Sequence, residues 1–208
     1  MRAPDAETRI LNATKVCCAR WGIEKVTVDD IAAESGVSRA TLYRLFPGGK
    51  DVLFDALRAR ERTDFFDVLT AEVADVDDDV EELVVRLVVA ATRELRADEH
   101  LAMMLASEPG TVLSDLTLEG MPRIIAVAND YLGPILKPFL DPQHATQLID
   151  LLVRITISYF LAPSDHVDLG DVESATAFLR PGLAVLVPPT ADPSHRPPSA
   201  ADPSRSPP

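Results

Sequence analysis

A short stretch in the N-terminal quarter of the chain carries the side chains best suited to specific polar contacts. Arg39 offers a fork of N–H donors, and Thr41 and Tyr43 offer hydroxyl groups. On a helical wheel these two hydroxyls share one face with Ala40 and Arg44, with Arg39 at its edge. The opposite face is apolar and consists of Leu42, Leu45 and Phe46. A short, basic face of this kind fits the DNA major groove, which is ~12 Å wide, where such groups hydrogen-bond base edges.

The elements around this face predict a helix-turn-helix. Thr27 suits the N-cap of a first helix, and Asp30, three residues on, can reach back to it. Gly36 suits the left-handed residue that ends that helix, and Ser38 caps a second helix over 39–46. Two helices joined by a short glycine-containing turn form the motif whose second helix enters the major groove. An ordinary amphipathic helix of a bundle is the alternative interpretation.

The sequence over residues 5–58 resembles the N-terminal domain of the TetR (tetracycline-repressor) family. The matching features occur in order: Trp21-Gly22, Thr27-Val28-Asp29-Asp30-Ile31-Ala32, Gly36-Val37-Ser38, Thr41-Leu42-Tyr43, Phe46, Lys50-Asp51 and Leu53-Phe54. Two positions depart from the family pattern. Gly48-Gly49 replaces the usual single Ser before the fourth helix, and Ala40 stands where many members have Gly or Pro. The second departure should change which bases are read rather than whether DNA is bound.

The groove face and the resemblance together predict a set of DNA-contacting residues. Arg39, Thr41 and Tyr43 are expected in the major groove or at its rim, while Thr27, Arg44 and Lys50 are expected on phosphates. The full predicted set is Thr27, Ser38, Arg39, Ala40, Thr41, Tyr43, Arg44 and Lys50.

Charge divides the chain into two parts with different partners. The net charge is −13. Residues 1–62 contain eleven Lys or Arg against nine Asp or Glu, a net of +2, whereas residues 63–208 carry −15. The N-terminal part is therefore the region that a phosphate backbone does not repel.

Residues with catalytic or metal-binding chemistry are scattered. The four histidines form no ligand-spaced pair or Cys/His cluster, and no nucleophile or phosphate-loop motif occurs. The sequence thus predicts no enzyme activity, no metal and no cofactor. Cys17 and Cys18 are adjacent, which makes a mutual disulfide geometrically poor, so small core residues are favoured over a redox sensor. Without a CxxC pair, a signal peptide or an apolar run of ~18 residues, the chain is predicted to be cytoplasmic, with no membrane partner.

Helical periodicity continues through the remaining chain and predicts an all-α protein of about nine helices. We expect an N-terminal three-helix helix-turn-helix domain over 1–48, a helical ligand-binding and dimerisation domain over 49–187, and a disordered Pro/Ser-rich tail over 188–208. A long helix from Lys50 to about Ala74 would link the two domains. The later helices are predicted over 81–95, 98–108, 119–140 (broken by prolines), 141–161 and 172–187 (interrupted near Pro181-Gly182).

The apolar helix over 81–95 is expected to lie centrally, with irregular, proline-containing neighbours that leave a ligand pocket. The candidate lining is Phe66, Leu69, Val88, Met103, Met104, Leu105, Ile125 and Asn129. This lining favours a hydrophobic or amphipathic effector. Helices 141–162 and 171–187 are predicted to form a homodimer interface.

The resemblance implies a transcriptional regulator, most simply a repressor, whose dimer holds a palindromic operator in double-stranded DNA and releases it when a small molecule binds. A helical interaction module without DNA binding, and a small helical enzyme, are the alternatives. Binding of an operator by the isolated protein separates the first hypothesis from the other two.

Overall fold

The computed structural model describes residues 4–107, 109–117 and 120–186. The chain is all-helical in these ranges, without strands. The predicted tail at 188–208 lies outside the described residues. The helices are α1 (Ala6–Trp21), α2 (Val28–Ser35), α3 (Arg39–Leu45), α4 (Lys50–Glu72), α5 (Val80–Ala97), α6 (Glu99–Ser107), α7 (Pro109–Leu116), α8 (Met121–Leu136), α9 (Pro142–Leu161) and α10 (Val172–Leu186).

The prediction of about nine helices is one short, since the described residues form ten. The additional helix is α7, which begins at Pro109, just beyond the helix predicted over 98–108. Proline is well tolerated in the first turn of a helix, where its missing N–H would lack a partner anyway. Pro109 is therefore suited to begin α7.

Two further boundaries differ from the sequence prediction. α8 ends at Leu136, and Phe139 and Leu140 turn back onto its last carbonyl group. α10 continues through Pro181 without the predicted interruption. Pro181 faces solvent, while Leu179 and Leu183 on either side of it are buried. Packing on this inner side holds the helix together where the proline removes one backbone hydrogen bond.

Buried side chains form two separate hydrophobic clusters. The first joins α1, α2, α3 and the start of α4, and the second joins the end of α4 to α5, α8, α9 and α10. α4 contributes Leu53, Phe54 and Leu57 to the first cluster and Phe66 and Leu69 to the second. The proposed domain limits at 48 and 187 stay a prediction, but α4 clearly shares its length between two cores.

α5 is the central helix of the second cluster and packs against α4, α9 and α10. Asp79 caps it by accepting hydrogen bonds from the amides of Glu81 and Glu82. Its apolar run is interrupted by Arg86, whose guanidinium reaches out to Asp75, 2.8 Å away, and to Glu82. The helix is thus buried on most of its surface and keeps one charged edge.

Among the described residues, no helix combines the length and apolarity that crossing a membrane requires.

Candidate nucleic-acid interface

A reciprocal cap fixes the start of α2. The Thr27 hydroxyl accepts from the Asp30 amide at 3.2 Å, and the Asp30 carboxylate accepts from the Thr27 amide at 2.9 Å and from its hydroxyl at 2.6 Å. Hydrogen bonds from the Thr27 side chain, and then from its backbone, lower the pKa of Asp30. The predicted cap is confirmed, and it occupies Thr27 with a structural role on the exposed end of α2.

The turn between α2 and α3 is held from outside by Arg9 on α1. Gly36 adopts the left-handed conformation (φ 63°) and its amide closes the end of α2. Arg9 Nη2 then donates to the carbonyl oxygens of Ser35 at 2.6 Å and of Gly36 at 3.0 Å. These carbonyls lie at the negative end of the helix, where a cation is favoured. The sequence analysis missed Arg9 because its partners lie 26 and 27 residues away.

α3 begins at a cap that also restrains one predicted contact residue. Ser38 Oγ accepts from the Thr41 amide at 3.2 Å and lies 3.0 Å from Thr41 Oγ1. Leu42 is fully buried and Phe46 is 4% exposed, which anchors the inner face of the helix in the first cluster. Leu45 was placed on that face from its helical angle, but it is 36% exposed. α3 is short, and its C-terminal residue lies beyond the edge of the core.

The outer face of α3 is open to solvent. Arg39, Ala40, Tyr43 and Arg44 are exposed, and Thr41 is half-buried. Arg39 Nε lies 3.0 Å from Asp29 Oδ1 on α2. A polar, basic and uncovered helix face, mounted on a rigid three-helix support, has the form required to enter a major groove.

Lys50, the first residue of α4, is less free than the sequence suggested. Its Nζ donates to the Glu24 carbonyl at 3.0 Å and lies 5.4 Å from the centre of the Phe54 ring. The preceding Gly48 (φ 126°) and Gly49 (φ 72°) adopt conformations that side chains disfavour. A Cβ atom on Gly48 would also lie 2.5 Å from Val52. The double glycine therefore makes the tight entry into α4 possible, and the phosphate contact of Lys50 stays a prediction.

Two cysteines lie in the support of this interface and are unsuited to redox chemistry in the folded state. Cys17 is fully buried and Cys18 is 1% exposed. Burial, followed by the proximity of Cys17, raises the pKa of Cys18 to about 11, and burial also raises the pKa of Cys17. Thiols in this state are protonated and shielded, so they pack as small apolar side chains.

The residues predicted to line a ligand pocket fall into two groups. Phe66, Leu69 and Val88 are buried in the second cluster. The candidate residues on α6 and α8 are half-buried, and these are Met103, Met104, Leu105, Ile125 and Asn129. No α6 residue is fully buried, and none packs against the second cluster in the described part of the chain. The Asn129 amide group donates to the Ile125 carbonyl at 2.8 Å, so its N–H donor is partly occupied by its own helix.

Tyr131 lies beside this region and was missed by the sequence analysis. Its ring stacks on Phe66 with ring centres 4.6 Å apart and planes inclined by 8°. Its hydroxyl lies 3.2 Å from Thr63 Oγ1 on α4. Tyr131 therefore joins α8 to α4 and contacts Phe66, one of the predicted lining residues. Its spacing on α8, two residues after Asn129, gave no sign of this cross-helix stacking.

α9 and α10 both lie against α5 and leave apolar side chains on their outer faces. Leu151 is 37%, Val172 51% and Phe178 36% exposed. Tyr159 of α9 contacts Phe178 of α10, with ring centres 5.3 Å apart. An open groove of about 510 Å³ runs along the start of α10, and its lining includes Phe178 but none of the predicted pocket residues. These faces are the ones on which the dimer was predicted.

Comparisons with known proteins agree with this arrangement. Residues 10–57 match the family model described as "Bacterial regulatory proteins, tetR family". An uncharacterized HTH-type transcriptional regulator of Mycobacterium tuberculosis H37Rv is 32% identical over 139 residues, covering 60% of this chain and 67% of its own. A similar regulator of Mycobacterium bovis is 33% identical over 133 residues, with the same coverage.

Solved structures share the fold at lower sequence identity. The TetR family repressor AlkX from Dietzia sp., described as implicated in biodegradation of n-alkanes, has a TM-score of 0.64 at 20% identity and covers 90% of this chain and 100% of its own. The fatty acid degradation regulator FadR from Bacillus halodurans has a TM-score of 0.51 at 21% identity, with 90% and 97% coverage. The shared architecture is an N-terminal helix-turn-helix followed by a helical C-terminal region.

Proposed function

Because the chain belongs to the TetR family of bacterial transcriptional regulators, we propose that it is a repressor whose operator complex is dissociated by a small apolar or amphipathic effector. The observation that carries this proposal is the uncovered, basic outer face of α3 on a capped and braced helix-turn-helix. Arg39, Thr41 and Tyr43 would contact base edges, while Thr27, Arg44 and Lys50 would position the protein on phosphates.

A palindromic operator requires two copies of this face. We place the homodimer interface on the outer faces of α9 and α10, because the apolar side chains Leu151, Val172 and Phe178 are exposed there. Both helices are anchored on α5, so a twofold axis beside them would form a bundle of four helices. The two α3 helices would then have to lie about 34–36 Å apart, or a multiple of that distance, to read successive major grooves.

The effector would bind between α4, α5, α6 and α8. α6 contacts both α5 and α1, and it carries Met103 and Met104 without burying any side chain fully. Apolar helices that are incompletely packed adapt to ligands more easily than a solid core does. A ligand that moves α6 would act on α1, and Lys15 of α1 is paired with Glu61 of α4 at 3.2 Å. The ligand would act through its preference for a state in which the two heads no longer match the operator spacing.

DNA binding is tested first, with the full-length protein and duplex DNA from upstream of its own gene. Arg39→Ala should weaken binding by roughly 1–3 kcal/mol if the guanidinium forks onto a guanine. Lys50→Ala should weaken all sequences alike and reduce the salt dependence. Equal binding by the parent, Arg39→Ala and Tyr43→Ala proteins would show that α3 does not read the groove.

The effector site is tested by thermal shift with n-alkanes and fatty acids, the compound classes whose degradation is named for two proteins of this fold. A stabilising compound should lose its effect in Val88→Trp or Met104→Trp, in which the added ring fills the site. Both variants should still bind the operator. If the compound stabilises these variants as it does the parent, the effector binds elsewhere.

A further inference from the structure

Asp29 is an acidic residue of α2 that pairs with a member of the proposed DNA-reading face. Its Oδ1 atom lies 3.0 Å from Arg39 Nε, although Asp29 is on α2 and Arg39 opens α3. Among the described residues, this carboxylate is the one polar partner of the Arg39 guanidinium. Both side chains are more than 60% exposed, so the pair adds little to the stability of the fold.

A carboxylate at this place carries a cost in a DNA-binding protein. Asp29 lies two residues after Thr27, at the N-terminal end of α2, where a phosphate contact is proposed. Phosphates repel a carboxylate there, and no third group neutralises it in the described structure. An Asn at the same position would keep the size of the side chain without that repulsion.

The geometry of the pair offers a compensating advantage. The shortest contact of this ion pair joins Nε to Asp29 Oδ1 at 3.0 Å, which leaves the two terminal NH₂ groups of Arg39 as a fork for another partner. That fork is the part of arginine that pairs with O6 and N7 of guanine. An arginine without this partner would be free to bind any nearby phosphate, which adds affinity without sequence information.

We propose that Asp29 is a specificity-determining residue, which holds Arg39 for base contact and withholds it from phosphates. This inference rests on the proposed function, since it requires that α3 reads DNA. Asp29 acts through Arg39 and is therefore a positioning residue. Its effect should appear in the ratio of operator to non-operator affinity rather than in operator affinity alone.

The test compares the parent with Asp29→Asn in the full-length chain. The DNA is the best duplex recovered from a random pool by the parent, and a scrambled duplex of the same composition. At about 0.1 M salt we expect Asp29→Asn to bind the scrambled duplex about 3–10-fold more tightly, with less change on the selected duplex. If the freed Arg39 takes a phosphate contact, the slope of log K against log[salt] on scrambled DNA should become more negative by about 0.9.

Two controls separate this effect from a general change of charge. Asp67→Asn alters the net charge equally at an exposed position of α4 outside the DNA-binding half, and it should leave the affinity ratio unchanged. In an Arg39→Ala background, Asp29→Asn should no longer change the ratio beyond what Asp67→Asn does. A purely structural role of Asp29 at the start of α2 would instead lower the melting temperature and leave the ratio intact.

The outcomes distinguish the two proposals. If Arg39→Ala lowers affinity for the selected duplex but Asp29→Asn leaves both the ratio and the salt slope unchanged, Asp29 has no positioning role while α3 still reads DNA. If the parent does not discriminate the selected duplex from the scrambled one, the proposed function itself fails. A persistent effect of Asp29→Asn in the Arg39→Ala background would show that the carboxylate acts by direct repulsion, which also overturns the inference.

Discussion

Replacing Arg9 tests whether the helix-turn-helix depends on an anchor outside its own two helices. Arg9→Met keeps the apolar part of the side chain and removes both contacts to the turn, which are 2.6 Å and 3.0 Å long. A hydrogen bond from a charged donor contributes about 1.5–3 kcal/mol. Arg9 is exposed, and solvent screening reduces that value, so we expect a total loss of about 1–2 kcal/mol for the two bonds together.

The expected loss is measurable in two assays. For a chain of this length, it corresponds to a melting temperature lower by about 2–8 °C. If Arg9→Met loosens only the turn, the whole loss of free energy appears as weaker operator binding, at most about 5–30-fold. Because Nη2 of Arg9 bonds two carbonyls of the turn and Arg9 is not one of the predicted phosphate contacts, the salt dependence of binding should stay unchanged. That result would distinguish it from Lys50→Ala, which should reduce the slope.

Arg62→Met is the matched control, since Arg62 is an exposed residue of α4 that makes no ion pair in the described part of the chain. It removes the same charge and should change neither assay. Arg9→Lys should recover part of the loss, because a lysine keeps the charge but cannot reach both carbonyls as a planar fork does. If Arg9→Met melts and binds DNA as the parent does, the turn is rigid without α1 and the reasoning is refuted.

Three further results are expected. Cys17 and Cys18 should not react with a disulfide reagent at pH 8 in the native protein and should react fully in denaturant, because burial holds the pKa of Cys18 at about 11. Phe178→Asp should convert the proposed dimer to a monomer by light scattering at micromolar concentration, because a twofold axis would bring the new charge close to its own copy. Asp168→Asn should lower the melting temperature at pH 7 but lose less stability than the parent between pH 5 and pH 3. The pKa of Asp168 is lowered in the folded state by the amide two residues on and by Arg96, so its contribution is present above about pH 4 and is lost as the pH falls below that value.

Each of these results has a control or a contrary outcome. Rapid modification of one thiol in the native protein would show that the first cluster opens locally. The control for Phe178→Asp is Val68→Asp, which introduces the same charge at a side chain that is 38% exposed on α4. It should leave the mass measured by light scattering unchanged. An identical acid transition in the parent and Asp168→Asn would mean that the pair with Arg96, at 2.7 Å, contributes nothing to acid stability.

Features set by neighbouring residues could be predicted from the sequence. The capping box of Thr27 and Asp30, the glycine that ends α2 and the proline that starts α9 all depend on partners within four residues. Local hydrogen-bonding rules decide such contacts, and they apply before any tertiary structure forms. The polar face of α3 could be predicted for the same reason, because helical periodicity alone places its members.

Contacts between distant residues could not be predicted. Arg9 meets the turn 26 residues away, and Tyr131 stacks on Phe66 from another helix. The periodicity of α1 and α8 fixes which way these side chains point but not which element lies opposite. The eight-residue pocket prediction has the same weakness, since it assigned α6 to the side of α5 without knowing how closely α6 would pack.

α5 ties the proposed dimer helices to the rest of the chain by polar contacts as well as by its core. Arg93 Nε donates to the Gly170 carbonyl at 2.8 Å, just before α10 begins, and Arg180 within α10 pairs with Glu81 at 2.7 Å. These contacts attach α10 and the residues before it to α5 near the two ends of α5, at Glu81 and Arg93. α5 also packs on α4, whose first half belongs to the DNA-binding core. Because α5 packs on both α4 and α10, a shift of α4 relative to α5 would change the position of each DNA-binding head relative to the proposed dimer axis. Under the proposed function, an effector that alters the packing of α4 on α5 would change the distance between the two reading helices.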